Sequence, residues 1–138
     1  MRVLTSSWVL RAAVGFVLGL GGMSLSTASA QAELLLFGGP NNDVFLGCLT
    51  CSEFDRSSVH NEFGDFGSRF SRVSIWNSFG DYGGSFSRYS PCNRFASNPP
   101  VVVDRDGGFY GYLTLNSTKA GRITDRAVLD WLENEVCS

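Results

Sequence analysis

The middle of this chain repeats every sixteen residues, and that period governs what it can fold into. Asn61, Asn77 and Asn93 are in register. So are Phe63, Phe79 and Phe95; Phe54, Phe70 and Phe86; Arg56, Arg72 and Arg88; and Ser58, Ser74 and Ser90. Asp65 with Asp81, Phe66 with Tyr82, and Gly67 with Gly83 extend the match. The units are 51–66, 67–82 and 83–98, the third degrading at Ala96 and Asn98 before Pro99-Pro100. A unit this short cannot bury an apolar face alone, so neighbours must stack and share one. Aliphatic side chains are few there (Val59, Val73, Ile75), against ten aromatic positions from Phe54 to Phe95. The expected core is therefore an aromatic ladder, ring against ring. Interior glycines and serines weigh against helix, so short strands and tight turns are expected.

The flanks echo each other. LLLF-GGPNND-VFLGCLT and VVVD-RDG-GFYGYLT both read strand, turn, strand, and both end in G-x-L-T (Gly47 to Thr50, Gly111 to Thr114). Asp106-Gly107 is a strong hairpin signal, and Pro40-Asn41-Asn42 marks the other turn. Two hairpins bracketing the repeat are expected to pair into one four-stranded antiparallel sheet. The tail, TDRAVLDWLENEVCS, reads as a helix with Thr124 as N-cap. Ile123 and Val128 sit where a hydrophobic staple would, and Val128, Trp131, Leu132 and Val136 share one face. That face is expected to cover the sheet. The fold class is mainly β (α+β): two hairpins flanking an aromatic and glycine repeat, with one C-terminal helix.

The first thirty residues are set apart. Arg2 and Arg11 precede an uncharged apolar run, AAVGFVLGLGG, and then MSLSTASAQA with small-x-small spacing at Ala28-Ser29-Ala30 and Ala30-Gln31-Ala32. That order marks 1–30 as a secretory signal peptide. The run is shorter than the roughly 20 apolar residues that span a bilayer. Residues 31–138 then form one small domain, exported to the periplasm or beyond, with no membrane association after cleavage. Without Arg2 and Arg11, nine basic side chains face thirteen acidic ones, a net charge of −4. Such a balance argues against nucleic acid as a partner.

All four cysteines, Cys48, Cys51, Cys92 and Cys137, fall in this domain, and an even count in an exported chain reads first as disulfides. Three pairings are open. Cys48–Cys51 with Cys92–Cys137 is favoured, although two extended residues would place the Cys48 and Cys51 Cα atoms about 10 Å apart. A bridge tolerates no more than about 7 Å, so this pairing requires a sharp bend at Leu49-Thr50. Cys48-x-x-Cys51 also has the spacing of a redox pair, but such pairs usually sit at a helix N-terminus, and here the motif closes a strand.

Catalytic residues are scarce. His60 is the only histidine, and its repeat column holds Trp76 and Cys92 in the other units, which suits packing better than a base held at fixed geometry. There is no G-x-S-x-G, H-E-x-x-H or phosphate-binding glycine loop. Cys48, Cys51, His60 and Cys92 could in principle ligate zinc, and Asp104-x-Asp106-Gly107 begins like a calcium loop. Leu115, however, stands where that loop needs glutamate, and an Asp-Gly turn accounts for both aspartates. No cofactor and no enzymatic activity are expected. The columns Arg56, Arg72 and Arg88, together with Trp76, Tyr82 and Tyr89, are the candidate binding residues. Planar guanidinium groups and aromatic faces suit sugar rings or carboxylates, and the expected partner is cell-envelope glycan or a protein.

Three stretches carry a resemblance: S-I-W-N-x-F-G-x-Y-G (Ser74 to Gly83), F-S-x-Y-S-P-x-N-x-F-A (Phe86 to Ala96), and P-P-V-V-V-D-x-D-G-x-F-Y-G-Y-L-T. From Phe45 to about Asn116 the chain resembles small exported bacterial proteins, common in cyanobacteria, with tandem N-x-[FY]-G-x-[FY]-G-S units. The resemblance implies a bacterial source and export, and it supplies no catalytic residue. Gly84, Ala96 and His60 depart from its columns. The reading is an exported, non-enzymatic structural or binding module. The alternative is a small redox or metal-binding protein using Cys48 and Cys51.

Overall fold

The computed structural model describes residues 32–138, so the leader expected over 1–30 lies outside the described residues. Strands β1 (Leu35–Gly38) and β2 (Val44–Cys48) form the first hairpin, and β3 (Val101–Val103) and β4 (Phe109–Tyr112) form the second. All pairings are antiparallel, in the order β2-β1-β3-β4, so the hairpins join through β1 and β3 into the expected four-stranded sheet. The turns follow from local chemistry. Gly39 and Gly107 take positive φ (90° and 87°), and Asn42 sits at 54°, a region glycine and asparagine tolerate.

The G-x-L-T echo has a structural meaning. Gly47 and Gly111, at φ 116° and 133°, each bring the following residue into parallel contact with a later segment. Cys48 N–H donates to Ser57 O (2.7 Å) and Cys48 O accepts from Val59 N–H (3.0 Å). Tyr112 does the same with Gly121 O (3.0 Å) and Ile123 N–H (2.8 Å). A Cβ on Gly47 would lie 2.7 Å from the Phe66 Cβ, and one on Gly111 would lie 2.8 Å from Gly121 O. Only glycine allows either approach.

Leu36, Leu46, Ile75, Val102, Leu113, Leu132 and Val136 form the buried core between sheet, middle segment and tail. Helix α1 (Arg126–Trp131) widens into a π-helical turn over Leu132–Val136, closed by Cys137 N–H donating to Leu132 O (2.9 Å). Its N-cap is Asp125 rather than the expected Thr124: the Asp125 carboxylate accepts from Val128 N–H, and a carboxylate is also favoured at the positive end of a helix. Leu132 and Val136 are buried, while Val128 and Trp131 are half-buried against the same core.

The disulfides are Cys48–Cys51 and Cys92–Cys137, with Cα separations of 5.5 and 5.4 Å. The chain bends at Leu49-Thr50 as the first bridge requires. The second joins the middle segment to the end of the tail. No described helix is long and apolar enough to cross a membrane.

Between Cys51 and Asn98 the chain is a succession of tight turns rather than the expected short strands. The anchor of each turn is a small polar residue whose side chain accepts the N–H two residues on. Ser58 does this for His60, Ser74 for Trp76 and Ser90 for Cys92, at 2.9–3.1 Å. Asn61, Asn77 and Asn93 do it for Phe63, Phe79 and Phe95. The three asparagines also donate from Nδ2 to the carbonyls of Asp55, Ser71 and Ser87, six residues back. This backbone therefore finds its partners in its own side chains.

The expected aromatic core is overturned. Phe54, Phe70 and Phe86 are 86%, 91% and 97% exposed, and Phe63, Phe79 and Phe95 are 92%, 99% and 88% exposed. What turns inward is Val59, Ile75 and Pro91, with the Ser58, Ser74 and Ser90 hydroxyls. A coil whose amides are satisfied by serine and asparagine has little interior left for rings. Phe66 and Tyr82 meet the sheet: Phe66 packs edge-on to Phe45 (4.9 Å) and Tyr82 lies against Gly38 and Gly39. Asn98, sixteen residues beyond Tyr82, donates to Gly39 O (2.8 Å).

Candidate functional site

Three of the exposed rings border a groove. An open cavity of about 610 Å³ runs along the first turns of the middle segment, walled by Phe54, Phe63 and Phe70, with Trp76 and Val59 at its base. Its polar groups are Glu53, His60, Glu62, Ser68, Arg69 and the Asn61 amide. Phe54 and Phe70 of one phenylalanine column and Phe63 of the other thus open on one groove. None of the six exposed rings pairs with another aromatic ring among the described residues; the pairs present involve Phe37, Phe45, Phe66, Phe109, Tyr112, His60 and the tryptophans Trp76 and Trp131.

Trp76 is the candidate residue the groove does contain, and its surfaces are largely taken. Nε1–H donates to Val59 O (2.7 Å), Trp131 meets the ring edge-on at 6.0 Å, and the Arg69 guanidinium lies 5.3 Å from the ring centroid. The remaining candidates lie elsewhere. Arg56, Arg72 and Arg88 are exposed and take no part in the ion pairs among the described residues, which are Arg94–Glu133 (2.7 Å) and Arg105–Glu33 (2.6 Å). Tyr82 is a wedge between middle segment and β1, not an open platform, and burial raises its hydroxyl pKa, with Asp81 adding to the shift. Tyr89 is half-buried.

His60 links parts of the fold. Its Nε2 lies 2.9 Å from Leu49 O, an atom that can only accept, so Nε2 carries the proton. The ring also tilts against Trp131 at 5.5 Å. It borders both the groove and a second cleft of about 450 Å³ between the sheet and α1, lined mainly by Leu34, Leu49, Val102, Ile123 and Val128. The zinc set considered from sequence cannot assemble in this form, since Cys48, Cys51 and Cys92 are all in disulfides. Asp104 is a turn residue: its Oδ1 accepts from Asp106 N–H (2.9 Å) and Gly108 N–H (2.8 Å), and its Oδ2 from the Tyr110 hydroxyl (3.0 Å). These bonds, Gly108's first, hold the Asp104 carboxyl below its ordinary pKa and raise that of Tyr110.

Sequence reasoning missed the exposed phenylalanines and the groove residues Glu53, Glu62 and Arg69. A signal was present: Ser, Asp, Asn or Gly recurs every third residue from Ser52 to Gly64, and again from Ser68 to Gly80. That spacing marks self-satisfied turns, which leave the residues between them free to face outward.

No protein-family model, curated protein or solved structure matches the chain.

Proposed function

We propose that this chain is an exported, non-enzymatic docking module whose working surface is the double column of phenylalanines. The observation that carries this reading is the exposure of Phe54, Phe63, Phe70, Phe79, Phe86 and Phe95, each at least 86% accessible. Isolated exposed apolar side chains are ordinary, but large contiguous apolar patches mark interaction sites. These rings contribute nothing to the fold that smaller residues could not.

A protein partner fits better than glycan. Phenylalanine has no polar handle for sugar hydroxyls, and Trp76, the better sugar platform, already meets Arg69 and Trp131. Glycan remains the second reading because Glu53, Glu62 and the Asn61 amide lie beside rings in the groove. Export is supported by the apolar leader and by the two disulfides, which belong to oxidising compartments.

A photo-crosslinking phenylalanine analogue at Phe79, irradiated on the producing cells, is expected to give a protein adduct. The same analogue at the turn residue Asp106 should give none. Absence of an adduct at Phe79, with binding on an envelope-glycan array that Phe54→Ser abolishes, would move the assignment to the second reading. Neither signal would end both.

A further inference from the structure

We propose that the groove beside Phe54, Phe63 and Phe70 receives a basic side chain of the protein partner, a lysine or arginine set among apolar residues. This rests on the reading of the exposed phenylalanines as docking residues, and it names what three of them recognise.

The first argument is shape. The groove's volume of about 610 Å³ falls within the roughly 300–1,000 Å³ usual for small-ligand sites, which is room for a long side chain. Its walls are set before anything binds. Phe54 N–H donates to Ser52 Oγ (3.1 Å), Phe63 N–H to Asn61 Oδ1 (3.0 Å) and Phe70 N–H to Ser68 Oγ (3.1 Å). Each ring therefore springs from a pinned turn. The base is held by Trp76 Nε1–H on Val59 O (2.7 Å). A preformed site loses less of its binding energy to ordering.

The second argument is charge. Glu53 and Glu62 border the groove, are exposed, and take no part in the ion pairs among the described residues. The Arg69 guanidinium already lies over the Trp76 ring, 5.3 Å from its centroid. Two carboxylates thus outweigh one guanidinium, and the balance is negative. Aromatic faces attract cations, and carboxylates make charge-assisted hydrogen bonds to ammonium and guanidinium donors. A lysine or arginine uses both at once, its apolar stem along the rings and its head at the carboxylates. An acidic side chain can use neither.

The repeat shows that these acids serve no need of the coil. Glu53 shares its column with Arg69 and Ser85, and Glu62 shares its column with Ser78 and Arg94. The turns that carry Glu62, Ser78 and Arg94 close with equivalent bonds: Gly64, Gly80 and Ala96 N–H donate to Asn61, Asn77 and Asn93 O, each at 3.0 Å. The backbone is therefore indifferent to acid, hydroxyl or base at that position. Both ring columns, by contrast, keep phenylalanine throughout. Within the two variable columns, acid stands only beside the groove.

Titration of the exported, disulfide-bonded protein with capped tripeptides, followed by NMR, tests this. The probes are acetyl-Leu-Lys-Leu-amide and its arginine, norleucine and glutamate counterparts. A basic peptide is expected to bind with a Kd at or below about 1 mM and to move the ring signals of Phe54, Phe63 and Phe70. It should bind at least about tenfold more tightly than the norleucine and glutamate peptides. Glu53→Gln combined with Glu62→Gln should abolish that preference, while Phe63→Ser should weaken the basic peptide about tenfold. These residues are exposed, so each variant should keep the native amide spectrum, which separates lost binding from lost fold. Equal binding of the lysine and norleucine peptides would overturn the proposal, as would a preference that survives the double glutamine variant. So would tighter binding of the glutamate peptide, or no ring shift with any peptide up to about 10 mM. Phosphatidylcholine vesicles that move the three rings when neither basic peptide does would overturn it in favour of a lipid headgroup. A Phe79 photo-adduct without any preference for a basic peptide would remove the cation site and leave the docking reading standing.

Discussion

Asn77→Ala and Phe79→Ser lie two residues apart, and their effects on stability should run opposite to side-chain size. The Asn77 side chain donates to Ser71 O (3.0 Å) and accepts from Phe79 N–H (3.0 Å). A net hydrogen bond of this kind is worth about 1 kcal/mol. Alanine removes both and leaves two backbone groups inside the coil without their partners, so the loss is about 2 kcal/mol. The Phe79 ring is 99% exposed, and a substitution there should stay within about 0.5 kcal/mol. Urea titration with the disulfides intact, followed by tryptophan emission, reads both. Heating should separate the two by about 10 °C in Tm for a domain of this size. Asn77→Asp keeps the acceptor for Phe79 N–H but turns a carboxylate on the Ser71 carbonyl, and should do no better than alanine at neutral pH. If Phe79→Ser proved the more damaging of the pair, the rings would be structural and the asparagine side-chain bonds would not be what holds the coil.

Gly83→Ala should be more severe than Gly107→Ala. A Cβ on Gly83 would collide with Asn77 O and lie 2.6 Å from Ile75 O, both backbone, whereas nothing lies within 4 Å at Gly107, whose cost comes only from its positive φ. Thermal melts of the two variants give the order. Replacing Cys92 and Cys137 by alanine frees a loop of 45 residues and should cost about 4 kcal/mol on the chain-entropy model, measured by urea titration. The second hairpin should loosen in acid. The folded Asp104 pKa is lowered, so its contribution is full above the unfolded value of about 3.9 and is lost as pH falls through the folded one. The stability difference between the wild type and Asp104→Asn should shrink across that window, and a constant difference would remove Asp104 as its source.

The sheet and tail were legible because their signals are local. Pro40-Asn41-Asn42 and Asp106-Gly107 fix turns, the alternating flanks supply strands, and the matched Gly47 and Gly111 point to equivalent places in the two hairpins. The helix was legible from its apolar stripe, although the carboxylate of Asp125 outcompetes the Thr124 hydroxyl for the cap. The middle segment departs from the expectation because its aromatic content does not mark a core. Large apolar side chains fill an interior only where the backbone leaves one. Here Ser58, Asn61 and their counterparts fold their side chains back onto neighbouring N–H groups, and burial falls to Val59, Ile75 and Pro91. The groove was illegible for the same reason, since Glu53, Glu62 and Arg69 meet only once the coil has closed.

The array and the sheet keep step. Phe66 rests on β2, Tyr82 on β1, and Asn98 bonds to Gly39 just past the end of β1. The chain leaves at Cys48 and returns at Val101, on the two neighbours of β1, posts held two strand spacings or about 10 Å apart. The sheet therefore sets the gap that the middle segment has to bridge. A chain of any other length between Cys48 and Val101 would have to close on the same two posts for the hairpins to share one sheet.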